Sequence, residues 1–316
     1  MTPPLLSVLM PVWNASAYLE ASLRSIQRQT ASDMEILVVD DGSTDRCPEI
    51  LRSFEKSEER LIWWSRPNRG LIASRNELLS RASGRYIAWI DADDEALPNR
   101  LSRQLEMLER DPRLVCVGTF ARQIDPDGAE LDIEMYPEDH AAIVQAQRHG
   151  SGMRFPTTMA VTAFAREIGG FREPFRMGED LDFLLRLGER GRLGNVPEVL
   201  YLYRQHLDSV CAGIGANWPR YRDVILELAD ERRRSGTDRL ERGEPVSIDG
   251  IDARPQTSFR VLVFALWSEA AARNGNLPLA AEYALASVRS GPLHRDGWAA
   301  AWRIVKSVSQ RWGRAP

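Results

Sequence analysis

The stretch YIAWIDADDEALP, from Tyr86 to Pro98, runs directly from an apolar segment into a cluster of acidic residues. Its first half, Tyr86 to Ile90, predicts a buried β-strand. Four acidic residues follow almost at once: Asp91, Asp93, Asp94 and Glu95. Carboxylates this close raise one another's pKa and disfavour their own ionised forms unless a cation compensates them. The stretch therefore predicts either a metal site at the end of a strand or a solvated turn.

Similar apolar runs alternate with helical patterns on both sides of this stretch. Four further runs predict strands: Leu5–Pro11, Glu35–Val39, Leu61–Trp64 and Leu114–Gly118. Helical spacing is seen in Tyr18, Leu19, Ser22, Leu23 and Ile26, and again over Arg75–Arg81 and Asn99–Arg110. This order predicts an α/β fold, with a mostly parallel central sheet flanked by helices. Ligands bind such sheets at the carboxyl ends of the strands, where both DDGSTD and DADD fall.

Composition limits the class of protein. The 316 residues are 43% hydrophobic and 27% charged, enough for a substantial core and for more than one domain. A net charge of -4 argues against a general nucleic-acid binder. Three widely spaced cysteines, Cys47, Cys116 and Cys211, suggest neither a disulfide framework nor a cysteine metal site. With no signal-peptide pattern and no apolar run of roughly 20 residues, we expect a cytoplasmic protein.

Several common site motifs are missing from the sequence. Pro11–Asn14 stand where a dinucleotide-binding domain would carry its glycines, and there is no P-loop. A calcium-binding EF-hand loop beginning at Asp91 would place Ala96 and Ser102 where glycine and glutamate are required. The G-x-S-x-G nucleophile motif is absent as well. The acidic loops must therefore be explained by another chemistry.

Six sequence blocks together carry a more specific signal than any single motif. They are SVLMPVWNASAYLEASLRSIQRQT, EILVVDDGSTD, NRGLIASRN, GRYIAWIDADDEALPNRL, GGFREPFRMGEDLDFLLRL and YRQH. In order and approximate spacing they resemble the inverting family 2 glycosyltransferases of the GT-A type, over roughly Leu5 to Val210. The resemblance implies a catalytic domain over residues 1–215 that transfers a sugar from a nucleotide diphosphate donor, with inversion by single displacement.

The resemblance also implies residues for donor binding. Pro11, Val12, Trp13 and Asn14 would surround the base or ribose, and Asp40 would accept a hydrogen bond from a pyrimidine N3–H, as in UDP or dTDP. Arg75 would meet a phosphate, and Asp91 with Ala92 would lie near the ribose. Asp40 has an alternative interpretation as a turn former before Gly42, with Asp41 orienting the loop. The alternative for Arg75 is a solvated arginine on a helix face.

A divalent cation is implied by the same family pattern. Mn²⁺ or Mg²⁺ suits carboxylate and phosphate oxygens and can neutralise the charge of a departing diphosphate. Asp93 is the best candidate ligand, Asp91 contacts the metal or the ribose, and Asp94 is expected to fix the loop. His206, in YRQH, matches a position near the metal or diphosphate in some relatives. A structural histidine is the alternative.

The block GED, Gly178–Asp180, matches the catalytic position of the family. A carboxylate there can accept the proton of an acceptor hydroxyl, and we assign this base role to Asp180. Glu179 is expected to position the acceptor or the loop. The alternative for both residues is capping of the helix that follows, since acidic side chains favour helix N-termini.

Residues 216–316 lie beyond the family resemblance and predict a helical C-terminal subdomain. The predicted helices are Trp218–Arg234, Phe259–Arg273, Leu279–Arg289 and Asp296–Arg311, with a polar linker near residues 235–257. In the last helix an apolar stripe recurs at helical spacing: Trp298, Trp302, Val305, Val308 and Trp312. We expect the stripe to pack on neighbouring helices around Leu262, Leu266 and Leu285.

The alternative for this stripe is peripheral contact with a membrane at its inner face, because basic residues accompany the tryptophans. These are Arg295, Arg303, Lys306, Arg311 and Arg314. Taken together, the sequence predicts a metal-dependent inverting glycosyltransferase of polysaccharide biosynthesis, acting on a glycan, a lipid-linked saccharide or a similar hydroxyl acceptor. A catalytically silent protein that binds sugar nucleotides or glycans is the alternative. A nucleotidyltransferase is disfavoured because its glycine-rich phosphate loop is missing.

Overall fold

The computed structural model describes residues 3–150, 152–207, 218–246, 248 and 256–312, with backbone alone at 256–259 and 304–312. The chain forms two units. The first unit comprises residues 1–121, 134–203 and 220–248, and the second comprises 122–133, 204–219 and 249–316. Cys211 and residues 249–255 of the predicted linker lie outside the described residues.

Nine strands and eleven α-helices make up the described part of the chain. The strands are β1 (Leu6–Val12), β2 (Met34–Asp40), β3 (Leu61–Ser65), β4 (Tyr86–Trp89), β5 (Glu95–Ala96), β6 (Leu114–Ile124), β7 (Glu130–Glu134), β8 (Met159–Val161) and β9 (Arg192–Arg204). The helices are α1 (Leu19–Gln27), α2 (Cys47–Phe54), α3 (Leu71–Arg81), α4 (Arg100–Arg110), α5 (His140–Gln147), α6 (Thr162–Glu167), α7 (Glu179–Gly188), α8 (Trp218–Ser235), α9 (Gln256–Arg273), α10 (Leu277–Ser290) and α11 (Arg295–Trp312).

One sheet joins all of these strands in the order β3-β2-β1-β4-β8-β6-β9-β5, with β7 paired to β6. The first four strands are parallel, with Leu6 opposite both Met34 and Tyr86 in the register. Their carboxyl ends therefore meet at one edge of the sheet, as predicted. Beyond β4 the pairing changes, because β8 runs antiparallel to both β4 and β6. The parallel arrangement predicted for the sheet thus holds for β1 to β4, and antiparallel pairs extend it.

Both faces of β1, β2 and β4 are buried, which explains why their sequences are almost continuously apolar, whereas the edge strand β3 is partly exposed. On one face Val8 and Ile36 pack with Leu19 and Leu23 of α1. On the other face Leu9 and Leu37 pack in the same cluster as Leu78 and Leu79 of α3. The strand ends are consequently held rigidly between two layers of helices.

Helix α8 packs within the first unit. Arg232 donates from Nε to Glu189 across 2.8 Å, and Arg148 pairs with Asp230 across 3.2 Å. The boundary that we placed at residue 215 stays a prediction, but α8 from residue 220 onward falls in the same unit as residues 1–121 and 134–203.

The second unit combines the β6–β7 turn region with three C-terminal helices. Leu131 is buried with Trp267, Ala271 and Tyr283, and the Tyr283 hydroxyl donates to Oδ2 of Asp125 across 2.7 Å. Within the described ranges, no helix combines the length and the apolar character that crossing a bilayer would require.

Helix α11 corrects one prediction. Trp298 and Trp302 are 57% and 69% exposed. Of their expected neighbours, Leu266 and Leu285 are 64% and 55% exposed, and Leu262 is half-buried. A small residue lies against α10 instead: a Cβ on Gly297 would lie 3.2 Å from Ser287 Oγ, and Ala300 of the same helix is fully buried. The prediction that the tryptophan stripe packs on its neighbours is therefore wrong for these two tryptophans. The side chains of Val305, Val308 and Trp312 lie outside the described part.

Candidate functional site

The loops that follow β1 and β2 are joined by hydrogen bonds at the carboxyl edge of the sheet. The Asn14 backbone N–H donates to Ser43 Oγ across 2.9 Å, and the Thr44 N–H donates to Asn14 Oδ1 across 2.8 Å. Asn14 has a φ of 49°, a left-handed conformation that asparagine tolerates. The indole of Trp13 is 57% exposed beside this junction. The predicted base-binding segment, Pro11 to Asn14, thus adjoins the DDGSTD loop.

Asp40, at the end of β2, is completely buried. Its Oδ1 accepts from the Ser43 N–H across 3.1 Å, and its Oδ2 accepts from Ser65 Oγ across 2.7 Å. A carboxylate oxygen has a second lone pair, so these bonds leave acceptor capacity. The observed bonds match the interpretation of Asp40 as a turn former, and its contact with a base stays a prediction.

Asp41 holds the loop that leads into α3. Its two oxygens accept from the backbone N–H groups of Arg69 and Gly70 across 2.9 and 2.8 Å, and Arg66 lies 2.6 Å away. The next residue, Gly42, has a φ of +75°, and a Cβ there would lie 2.7 Å from the Asn68 backbone nitrogen. Only glycine fits this close approach. Asp41 therefore orients the loop.

The acidic cluster after β4 is compact. Asp91, Asp93 and Asp94 each offer one carboxylate oxygen, and these oxygens lie within 4.8 Å of one another. Asp94 is buried and accepts from the Tyr201 hydroxyl across 2.8 Å, while that hydroxyl accepts from the Asp91 N–H across 3.3 Å. Asp91 and Asp93 are half-buried, and the Ala92 side chain between them packs in the core. Tyr201 thus fixes the loop through Asp94.

A buried cation, Arg100, contacts the residues that hold this loop. Its Nη2 donates to the carbonyl oxygens of Trp89 and Pro156 across 2.7 and 3.0 Å, and its guanidinium lies 4.8 Å from the centre of the Tyr201 ring. Burial lowers the pKa of Arg100 to about 10, so it stays charged at neutral pH. Its position at the start of α4 ties the end of β4 to that helix.

Arg75 connects the acidic loop with the predicted catalytic helix. Only 5% exposed, it donates from Nη1 to Glu179 Oε1 across 2.7 Å, and its Nη2 lies 3.8 Å from Asp91 Oδ1. The guanidinium also stands 4.5 Å from the centre of the Phe155 ring. It is therefore not the solvated arginine of the alternative interpretation. Its contact with a donor phosphate stays a prediction.

Two carboxyl groups around Arg75 are unusually basic. Burial raises the pKa of Glu179 to about 7 and the pKa of Asp91 to about 6, and Arg75 opposes both shifts. The negative charge of Asp180 adds to both increases, which indicates that Asp91, Glu179 and Asp180 share one site. Perturbed pKa values of this kind are typical of functional sites.

The start of α7 presents Glu179 and the half-buried Asp180 to this site. Gly178, the residue before the helix, has a φ of 74° and no side chain with which to cap it. Asp180 Oδ1 accepts from the Leu181 backbone N–H across 2.7 Å, so the capping role of the alternative interpretation is also present. One turn later Asp182, fully buried, accepts from Nε of Arg172 and Nε of Arg186, each across 2.9 Å. These bonds anchor the start of α7 to Arg172 and Arg186, so that its first turn is held in place.

The candidate metal ligand His206 follows β9 and belongs to the second unit, so its role stays a prediction. Conversely, sequence reasoning missed Arg100 and Tyr201. A signal for Tyr201 exists, because alternation along YLYR places it on the same face of β9 as Tyr203 of the YRQH block.

Comparison with known proteins identifies the family of the chain. The model of the family described as "Glycosyl transferase family 2" matches residues 7–169. A chondroitin synthase from Pasteurella multocida is 28% identical over 207 residues, which are 65% of this chain and 21% of that protein. A putative teichuronic acid biosynthesis glycosyltransferase, TuaG of Bacillus subtilis, is 38% identical over 133 residues, 41% of this chain and 51% of that protein. The chain thus spans about a fifth and about half of these relatives.

Solved structures share the fold. TarS 1–349 of S. aureus in complex with UDP-GlcNAc aligns with a TM-score of 0.62 at 16% identity, covering 98% of this chain and 92% of that one. The mannosyltransferase PcManGT of Pyrobaculum calidifontis, in complex with GDP-Man and Mn²⁺, aligns with a TM-score of 0.51 at 18% identity, covering 99% and 88%. The GT-A-type fold predicted from the sequence is confirmed, and the match over residues 7–169 shows that the chain belongs to glycosyl transferase family 2.

Proposed function

We propose that the protein is a metal-dependent, inverting glycosyltransferase that moves a sugar from a nucleotide diphosphate donor to the hydroxyl of a glycan, a lipid-linked saccharide or a similar acceptor. One observation carries the proposal: the carboxylates of Asp91, Asp93 and Asp94 converge within 4.8 Å, and Arg75 joins Asp91 to Glu179, the neighbour of Asp180, across 3.8 and 2.7 Å. The residues proposed to bind the donor therefore lie next to the residues proposed to act on the acceptor.

The acidic cluster fits a hard divalent cation, because its donor atoms are all carboxylate oxygens. Asp91 and Asp93 would hold Mn²⁺ or Mg²⁺, while Asp94 is engaged by Tyr201. When bound, the cation would act as a Lewis acid for the charge that develops on the departing nucleotide diphosphate. The Mn²⁺ in the PcManGT complex supports this assignment by likeness of fold.

For the donor we propose UDP or dTDP as the nucleotide. The buried Asp40 retains lone pairs that can accept from a pyrimidine N3–H, and the exposed Trp13 offers a flat surface beside it. The solved relatives carry UDP-GlcNAc and GDP-Man respectively, so they favour a nucleotide sugar without deciding the base. The pyrimidine preference therefore rests on Asp40.

For the chemical step we assign the base to Asp180. Its carboxylate accepts the acceptor hydroxyl proton while that oxygen attacks the anomeric carbon, and the bond to the diphosphate oxygen breaks in the same displacement. The configuration at the anomeric carbon inverts, and no enzyme nucleophile is needed. Glu179 is paired with Arg75 and therefore positions the first turn of α7.

The acceptor is proposed from the relatives. Chondroitin synthase and the teichuronic acid protein TuaG are named for polysaccharides, which supports a role in polysaccharide biosynthesis. Because lipid-linked saccharides are held at membranes, we propose a cytoplasmic location with peripheral contact at the inner face. Nucleic acid is not among the proposed partners, since the chain carries a net charge of -4.

A thermal-shift panel of sugar nucleotides with and without Mn²⁺ tests the donor site, because a ligand that binds the native state raises the melting temperature. We expect stabilisation by a UDP or dTDP sugar that depends on Mn²⁺ and is lost in Asp93→Ala. His206→Ala should weaken it less. The matched control is Asp33→Ala, which removes an exposed carboxylate before β2. If stabilisation by the donor still depended on Mn²⁺ in Asp93→Ala, the assignment of Asp93 as a metal ligand would be wrong.

Catalysis is tested separately by nucleotide release in the presence of saccharide acceptors. Release that requires both acceptor and Mn²⁺ supports transfer. Donor binding without release in any acceptor mixture would favour the silent binding protein instead.

A further inference from the structure

The turn between α10 and α11, together with the first two turns of α11, carries an exposed apolar face. We define this face by three residues: Leu293, Trp298 and Trp302, which are 99%, 57% and 69% exposed. Trp298 and Trp302 stand one helical turn apart and so lie on the same side of the helix. Gly297 lies against Ser287 of α10, and both tryptophans leave more than half of their surface outside the packing of the second unit.

The face is continuous and partly preorganised. Trp298 donates from Nε1 to the carbonyl oxygen of Pro292 across 2.7 Å, which holds the indole against the turn that carries Leu293. The indole has a single N–H donor, and this bond satisfies it. The ring can therefore enter apolar surroundings without leaving an unpaired N–H group, which would oppose burial.

The charge of the C-terminal segment favours an anionic partner for this face. From Leu293 to Pro316 the sequence has five basic residues and one acidic residue, although the whole chain has a net charge of -4. Of these, Arg295 is exposed at the start of α11 beside the exposed Asp296, and Arg303 pairs with Glu269. The surplus positive charge therefore comes from Lys306, Arg311 and Arg314, which are taken from the sequence because their side chains lie outside the described part. Tryptophans and leucines beside basic residues are typical of helices that lie in the interface of an anionic membrane. At such an interface indoles sit at the level of the headgroups.

We propose that the face of Leu293, Trp298 and Trp302 binds the surface of an anionic lipid membrane, with the neighbouring cations against the headgroups. A second copy of the chain fits less well. A stable interface needs about 800 Å² from each partner, and three side chains supply only part of that. Two such faces brought together by a twofold axis would also oppose their surplus positive charges. The proposal specifies the peripheral membrane contact included in the proposed function, but it rests on exposure and charge, so its test does not depend on the transfer reaction.

Flotation of the full chain with lipid vesicles tests the proposal. We expect the protein to float with vesicles of phosphatidylcholine and phosphatidylglycerol, and to remain below vesicles of phosphatidylcholine alone. Leu293→Asp changes a side chain that is 99% exposed, and should lower the vesicle partition coefficient about tenfold, the loss of one inserted leucine. The double variant Trp298→Ala with Trp302→Ala should abolish flotation.

The matched control is Ile62→Ser on β3, which removes a 51% exposed apolar side chain from the first unit. It should float like the wild type, and circular dichroism melts will show that all variants are folded. Failure of the wild type to float with anionic vesicles would overturn the proposal. So would wild-type flotation by Leu293→Asp. Sedimentation that shows dimers abolished by Leu293→Asp would assign the face to a second copy instead.

Discussion

Arg75 donates from Nη1 to Oε1 of Glu179 across 2.7 Å, joining α3 to the first residue of α7. Both side chains are buried, at 5% and 8% exposure. Removal of one member of a buried ion pair leaves the other charge uncompensated, which costs about 3 to 5 kcal/mol. We therefore expect Arg75→Gln to lower the free energy of unfolding by about 3 kcal/mol at pH 8, measured by urea denaturation.

The control for this variant is Arg24→Gln. Arg24 also pairs with a glutamate, Glu20, across 2.7 Å, but both side chains of this pair are more than half exposed. Surface pairs of this kind contribute at most about 1 kcal/mol. Equal losses in the two variants would show that the Arg75–Glu179 pair has no special role in holding α7.

Glu179 should make stability depend on pH near neutrality. Burial raises its pKa from 4.5 to about 7, Arg75 lowers it and Asp180 raises it further. Between these pH values the folded protein keeps a proton that the unfolded chain has released. Glu179 therefore makes its full contribution to the free energy of unfolding below about pH 4.5. As the pH rises through about 7, this contribution falls by at most about 3 kcal/mol.

This dependence is measured as the difference in unfolding free energy between the wild type and Glu179→Gln, from pH 4.5 to pH 8. We expect that difference to shift in favour of Glu179→Gln as the pH rises. Glu58→Gln is the control, because Arg60 lowers the pKa of Glu58, and its contribution is lost only as the pH falls below the ordinary range. A constant difference for Glu179→Gln across the range would contradict the raised pKa.

The parts of the fold that sequence reasoning predicted are those with a continuous pattern. β1 to β4 are apolar on both faces, and α3 and α4 follow with helical spacing, so these elements and their shared edge were predicted. β5 and β8 are two and three residues long, too short for any period to be read. Their antiparallel pairing is set by the tertiary fold.

Contacts within the site were harder to predict for a different reason. Arg75 and Glu179 are separated by 104 positions, and a pairing over that distance leaves no local signal. Arg100 stands at the start of a helical pattern, where an arginine is ordinarily solvated, yet it is 1% exposed. By contrast, Asp91, Asp93 and Asp94 were found together because one loop carries them all.

Asp180→Asn should separate binding from chemistry. The amide keeps the shape of the side chain but cannot accept a proton from the acceptor hydroxyl, so we expect kcat to fall by about 10² to 10⁴-fold. Donor affinity should be unchanged in calorimetric titration, because Asp180 is assigned to the acceptor side. Turnover at the wild-type rate would move the base elsewhere, and Glu179 would be tested next.

Tyr201→Phe tests whether the acidic loop depends on its hydrogen bonds to the Tyr201 hydroxyl. The variant removes a hydroxyl that donates to Asp94 across 2.8 Å and accepts from the Asp91 N–H across 3.3 Å. Asp94 is buried, and the loss of a hydrogen bond to a buried charged group costs about 1.5 to 3 kcal/mol. We expect that loss in urea denaturation.

The same variant should also weaken the donor site, because a loop released from Tyr201 holds Asp91 and Asp93 less well in register. We expect a higher Mn²⁺ concentration for half-maximal donor binding, with a smaller change in kcat at saturating metal. Tyr86→Phe is the control, since Tyr86 is also buried but begins β4, at the opposite end of the strand from the loop. If Tyr201→Phe lost stability while its Mn²⁺ titration matched that of Tyr86→Phe, Tyr201 would support the fold without positioning the carboxylates.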